Sequence, residues 1–244
     1  MAGLAKGLAV IETFGQAYPQ LTVSEAAQAT GLTRATARRC LLTLTELGYL
    51  THDGKYFRPT PRMARLGGSY TRTDPLPRLA QPQLAAARQE LGESISLAVL
   101  DEGNAVFVAR AETERIVSAG VRIGVRLPAY STATGRVLLA ALSDAELDAY
   151  LDGCRPERRT EKSVVDLEEI RRRIVDARTE QVAFTDEELE LGMRSMATPV
   201  QDAQGNTRAA LSVSAFTARI TLEDMREQFL PVLREHAERI GRML

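Results

Sequence analysis

Three arginines, Arg34, Arg38 and Arg39, fall within six residues of the stretch "GLTRATARRCLLTLTELGYL", residues 31–50. A guanidinium is a planar fork of donors that can pair two-pronged with a guanine edge or clamp a phosphate. A second cluster, "TDEELEL", sets Asp186, Glu187, Glu188 and Glu190 together. Paired carboxylates can do acid–base work. No His, Cys or Lys stands near them in sequence, however, and adjacent acids commonly form a solvated loop. A hydrolase acting on small acids is therefore the lesser alternative, and no enzyme is expected. Cys40 and Cys154 have no paired spacing, and His52 and His236 lie far apart, so neither a disulfide framework nor a zinc site is indicated. "GVRIGVRLP" holds glycines but lacks the phosphate-loop pattern. No metal and no cofactor is expected.

The elements that would carry the arginines are legible. Residues 3–15 read as a helix with Leu4, Leu8, Ile11, Val10 and Phe14 on one side. Thr22 and Glu25 form a capping box for a short second helix, which Gly31 ends. Thr33 caps a third helix running to about Leu47. On it Ala37, Leu41, Leu44 and Leu47 make an inward stripe, while Ala35, Arg38, Arg39 and Leu42 face the opposite way and Arg34 lies at the flank. Two helices joined by a glycine turn match a helix-turn-helix. Small Ala35 and Thr36 let the N-terminal end approach base edges, where recognition helices make contact. Arginine in a first turn faces the positive end of the helix dipole, an arrangement that a nearby anion would relieve. "YLTHDGKYFRPT" reads as a hairpin about Asp53-Gly54, resembling a wing. For its Lys55 and Arg58, contact with phosphate and plain surface charge account for the sequence equally well.

Charge divides along the chain. The 244 residues carry a formal net charge of −1, are 44% hydrophobic and 26% charged. Up to Thr73 there are nine basic and four acidic residues; the remainder holds 22 basic and 28 acidic. A basic segment joined to a larger acidic one suits a DNA-facing part and a part that stays off DNA. No run approaches a membrane span and the start lacks a secretory pattern, so a cytoplasmic protein off the membrane is expected.

Residues 67–92 read as linker helices, punctuated by Pro75, Pro77 and Pro82. Strand-like runs then flank the hairpin loop at residues 101–104; "RIVSAGVRIG" reads as a further strand. Ser131 or Thr132 starts a helix, Ser143 with Glu146 forms another capping box, and Asp166 and Thr221 cap later helices. The expected class is α+β with a mostly antiparallel sheet. The domains are drawn as a winged helix-turn-helix at 1–66, the linker at 67–92, and an effector-binding and oligomerisation domain at 93–244. The runner-up function is a small-molecule sensor whose N-terminal domain does not bind DNA.

Taken in order, "AKGLAVIETF", "LTVSEAAQATGLTRATARRCLLTLTELGYL", "DGKYFRPTPRMARLG", "LPAYSTATGRVLLAAL" and "FTDEELELGMRSMATPVQD" resemble the IclR family of bacterial transcriptional regulators over nearly the whole chain. The third-helix segment looks most like the branch controlling protocatechuate, 4-hydroxybenzoate and β-ketoadipate catabolism. The resemblance implies a winged helix-turn-helix, a linker helix, and a GAF-like effector domain whose curved sheet and flanking helices enclose a small-molecule pocket. It implies a repressor or activator that binds double-stranded operator DNA as a homodimer or homotetramer, with RNA polymerase as a further partner and a small organic acid altering binding. DNA contacts would come from Thr33, Arg34, Ala35, Thr36, Arg38, Arg39, Lys55 and Arg58. The pocket would draw on Ile116, Leu127, Ala133, Thr134, Gly135, Thr185, Met193, Ser195, Ser212 and Ser214. Ser212 and Ser214, two apart on a strand, share a sheet face, and amides at the start of the Ala133 helix offer an anion site. The serines would equally serve to satisfy backbone groups in a core. Glu188 falls at a structural position of the family signature. Gln181, Thr185 and Gln201 depart from that signature, and Thr185 removes a carboxylate, so a larger aromatic acid would be less repelled.

Overall fold

The computed structural model describes residues 2–15, 18–113 and 121–244, with residues 68–72 described by backbone alone. Two compact units emerge, Met1–Thr73 and Asp74–Leu244. The stretch expected to link the domains divides at that place. Helix α4 (Ala64–Thr73) falls in the first unit and α5 (Leu76–Leu91) in the second.

The small unit contains α1 (Ala2–Thr13), α2 (Val23–Thr30), α3 (Arg34–Glu46), and a hairpin of β1 (Leu50–His52) with β2 (Phe57–Pro59). Its core is Val10, Leu21, Ala26, Ala27, Ala37, Leu41, Leu44, Leu50 and Phe57. Leu21 bridges Phe57, tying the start of the helix pair to the hairpin. Thr22 and Glu25 complete the capping box, and Gly31 (φ 68°) turns the chain in the left-handed region that glycine enters without a Cβ penalty. The inward stripe of α3 is shorter than the sequence suggested. Leu47 is 51% exposed, because it lies beyond the last helical residue and about 60° from Leu44 around the axis, outside the buried arc. Leu4 and Leu8 are likewise exposed, and only Val10 of α1 is buried.

The large unit is built on one antiparallel sheet in the order β5-β4-β3-β8-β7-β6. Its strands are β3 (Ser94–Asp101), β4 (Asn104–Ala111), β5 (Arg126–Pro128), β6 (Ala183–Asp186), β7 (Met193–Gln201) and β8 (Thr207–Phe216). Alternation along the strands gives the faces different sizes of side chain. Ile95, Leu97, Met196, Leu211 and Val213 pack towards α5 and the terminal α10 (Leu230–Gly241). Ala98, Ala197 and Ala210 lie on the other face with α6 (Ala133–Ala140), where small residues leave room. Helices α7 (Asp144–Gly153) and α8 (Leu167–Glu180) continue that layer. The short helix α9 (Leu222–Asp224), capped by Thr221, runs through a π turn into α10.

The α+β expectation therefore holds, with one local correction. Residues 114–120, including Ile116 and most of the expected strand "RIVSAGVRIG", lie outside the described residues. Residues 121–125 form no strand, and β5 begins at Arg126. Among the described residues no helix is long and apolar enough to cross a membrane, and no group of three His, Cys, Asp or Glu could hold a metal.

Candidate nucleic-acid interface and ligand cavity

On α3 the Thr33 hydroxyl accepts from the Thr36 amide at 3.3 Å, which fixes the helix start. Arg34, Ala35, Arg38 and Arg39 are exposed, and Thr36 is half-buried. The first turn holds no acid. Among the described residues none of the three guanidiniums has an ion pair, a hydrogen bond or a ring contact. They are free to meet an anion without breaking an existing contact. Arg39 also borders an apolar groove between α1 and α3 with Leu4, Leu8 and Leu47.

The wing is braced more elaborately than a two-residue turn. His52 pairs with Phe57, leaving a four-residue loop in place of the expected Asp53-Gly54 turn. The Asp53 carboxylate accepts from the Tyr56 amide at 2.7 Å, the Lys55 amide at 3.0 Å and Arg58 Nη1 at 2.6 Å. These bonds, the Tyr56 amide foremost, hold the Asp53 carboxyl well below the usual carboxylate range. Arg58 also donates to Gln20 Oε1 at 2.8 Å, so it braces the wing. Lys55 stands at the exposed tip, its Nζ 4.8 Å from the Tyr56 ring centre. Because the native pKa is depressed, the stabilisation is present above about pH 4 and is lost as pH falls below it. Asp53→Ala should speed amide exchange at Tyr56 at neutral pH, and the wild-type wing should show that loosening only in acid. Unchanged exchange in the variant would refute the brace.

The large unit holds a cavity of about 370 Å³ between the small-residue sheet face, the start of α6 and the β6–β7 loop. Strand register explains its polar row. Thr185 lies opposite Ser195, and Ser195 opposite Ser214, so three hydroxyl residues share one face across β6, β7 and β8. Ser195 and Ser214 are hydrogen-bonded to each other at 2.8 Å. One step along, Ser212 pairs with Ser96 and donates to its carbonyl at 3.4 Å. Leu127, Ala133, Thr134 and Met193 also line the space, with Phe107, Val121, Val125 and Leu189 extending its apolar wall.

Gly135, expected among these, is not in the lining. A Cβ there would fall 2.1 Å from the Ala129 carbonyl oxygen, so the residue allows α6 to pack against the preceding turn. Its amide donates to the Thr132 hydroxyl at 2.9 Å, and the Arg136 amide to the Thr132 carbonyl, leaving the earlier amides as the free ones. Thr132, not Ser131, is thus the cap.

Three of the four acids of the cluster, Asp186, Glu187 and Glu188, form ion pairs. Arg136 is 1% exposed and grips Glu188, itself 5% exposed, through Nη1 at 3.0 Å and Nη2 at 2.5 Å. Arg136 also donates to the Tyr130 and Phe184 carbonyls, and Arg173 reaches Glu188 at 2.8 Å. Lys162 pairs with Glu187 and Asp186. Asp186, Glu187 and Glu188 are thus occupied, and Glu188 clamps the β6–β7 loop to α6, while Glu190 is exposed. Arg136 gave no functional signal in sequence, since it sits in an apolar run and its partner is 52 residues on. Gln181 and Gln201, both departures from the family pattern, bond to each other at 3.2 Å and lie outside the cavity lining.

Residues 3–54 match the IclR helix-turn-helix domain, and residues 68–242 match the bacterial transcriptional regulator IclR C-terminal domain. The chain is 39% identical over 234 residues to the Pca regulon regulatory protein of Pseudomonas putida, covering 96% of this chain and 80% of that protein. A crystal structure of a transcriptional regulator from Rhodococcus sp. RHA1 superposes with a TM-score of 0.87 at 45% identity, covering 99% of this chain and 97% of that one. An IclR homolog from Microbacterium hydrocarbonoxydans, solved in complex with 4-hydroxybenzoate, superposes with a TM-score of 0.82 at 26% identity, covering 98% and 97%.

Proposed function

This chain belongs to the IclR family of bacterial transcriptional regulators, and we propose that it binds a roughly palindromic operator as a homodimer or homotetramer whose DNA affinity is set by a small aromatic acid. It works in the cytoplasm, off the membrane, as a regulator and not an enzyme, and RNA polymerase is a partner at the promoter. The exposed N-terminal half of α3 enters the major groove, with Arg38 and Arg39 at base edges and phosphates, Thr33, Ala35 and Thr36 close to the groove floor, and Arg34 at the site edge. Lys55 at the wing tip touches the backbone and Arg58 holds the wing in shape. Two recognition helices on one duplex imply half-sites about 34 Å apart or a multiple of that.

The cavity carries the effector assignment. Its volume lies at the small end of the roughly 300–1,000 Å³ of small-molecule sites. Phe107, Val121, Val125, Leu127 and Met193 offer an apolar wall for a ring, while Thr134, Thr185, Ser195, Ser212 and Ser214 offer hydroxyls for its polar groups. The Pseudomonas putida relative and the 4-hydroxybenzoate-bound homolog support an acid of aromatic catabolism. Effector binding acts by favouring one arrangement of the DNA-binding domains, which requires different affinity for the two states. Calorimetric titration of the full chain with 4-hydroxybenzoate and protocatechuate, with and without operator, tests the assignment. Saturable heat and a changed operator affinity are expected. No heat from any aromatic or dicarboxylic acid would sink it.

A further inference from the structure

Arg159 lines the same cavity, and no sequence pattern singled it out. It lies between α7 and α8 and is exposed, which places it where the cavity meets water. Its neighbouring arginines are occupied. Arg155 donates to the Asp152 and Cys154 carbonyls, and Arg158 to those of Glu161 and Ser163. The Arg159 guanidinium has no ion pair and no hydrogen bond among the described residues. Its backbone, in contrast, is held. The Arg159 amide donates to Ser163 Oγ at 3.0 Å, and that buried hydroxyl donates in turn to the Glu188 carbonyl at 2.6 Å. A guanidinium without a bond has none to break on engaging a ligand, and the cost that remains is the ordering of its long side chain.

The charges facing the cavity sharpen the point. Glu188 is in the lining, but Arg136 and Arg173 neutralise it. Glu190 is exposed, and its carboxylate has no partner among the described residues. The remaining lining offers hydroxyls and apolar carbon, which can hydrogen-bond a carboxylate but cannot balance its charge. Among the described residues Arg159 is the cation in the lining, and its fork matches a carboxylate in two parallel charge-assisted bonds.

We infer that Arg159 grips the effector's carboxylate at the cavity mouth and selects acids over neutral ring compounds, with the apolar wall holding the ring. This rests on the effector cavity proposed above. The start of α6 is the competing place for the carboxylate, and the two are separable by mutation.

The test is calorimetry on the full chain with 4-hydroxybenzoate and with 4-hydroxybenzyl alcohol, which keeps ring and hydroxyl but carries no charge. Arg159→Gln should weaken the acid by roughly 10- to 100-fold, the loss of a charge-assisted pair, while shifting the alcohol less than about threefold. Arg159→Lys should restore part of the acid affinity, and Glu190→Gln should tighten it. The melting temperature should stay within about 2 °C, because the side chain is exposed and unpaired. Unchanged acid affinity in Arg159→Gln, or equal losses for acid and alcohol, would overturn the inference. Failure of the wild-type chain to bind any aromatic acid would overturn the effector class itself, a result the wild-type arm shows alone.

Discussion

Arg38→Ala with Arg39→Ala is expected to abolish specific operator binding at physiological salt while leaving the melting temperature nearly unchanged. The separation follows from where α3 places its residues. Ala37, Leu41 and Leu44 are buried and carry the packing, whereas the two arginines are exposed and, among the described residues, make no ion pair or hydrogen bond. An arginine on a base edge contributes about 1–3 kcal/mol, so two losses on each recognition helix of a dimer should weaken binding by at least ~1,000-fold. The salt dependence becomes shallower by about 0.9 in log–log slope for each phosphate contact removed. Arg34→Ala alone should give a smaller loss, uniform across sequences. A gel shift in which the double variant binds like wild type would refute the DNA assignment of this face and favour a sensor that does not read DNA. Arg58→Ala is the instructive contrast: it breaks bonds to Asp53 and Gln20, so wing order falls along with affinity.

Glu188→Gln is expected to lower stability by about 3–5 kcal/mol, because a nearly inaccessible guanidinium loses its counter-charge. For a chain of this size that corresponds to a fall of roughly 6–20 °C in melting temperature. The binding consequence follows from the architecture. Glu188 ties the β6–β7 loop to the first turns of α6, and both are cavity walls, so aromatic acid affinity falls too. The paired replacement Arg136→Met with Glu188→Met separates charge from packing. It should recover most of the lost stability, since removing both partners leaves no orphaned charge. Thermal unfolding decides: a double variant as unstable as Glu188→Gln would show that hydrogen bonds from Arg136 to the Tyr130 and Phe184 carbonyls, not the ion pair, hold this corner.

Much of the DNA-binding unit is legible in sequence because its determinants are local. Thr22 and Glu25 cap across three residues, Gly31 adopts the one turn conformation that excludes most other residues, and α3 announces its buried side by helical period. The exceptions sit at edges. Leu47 fails because a period says where a side chain points, not whether a neighbour covers it. The wing loop is longer than Asp53-Gly54 suggested, and the Asp53 side chain organises it together with the bond from the Asp53 amide to the Tyr56 carbonyl. In the larger unit the family resemblance implied a pocket, and the spacing of two put Ser212 and Ser214 on one sheet face, whereas the strand order and the division into large- and small-residue faces came only with the fold.

By itself, then, the sequence determined the helix-turn-helix, the exposed arginines, the α+β class and the hydroxyl row along single strands. Only the tertiary structure decided that Glu188 answers Arg136, that Gly135 serves packing while Thr132 takes its amide, that Gln181 and Gln201 pair with each other, and that Arg159 stands unpaired at the cavity. The physical reason is separation along the chain. Caps, turns and amphipathic faces are set within a few residues, whereas the charge state and packing of a cavity depend on partners that meet only when distant strands and helices close around the same space.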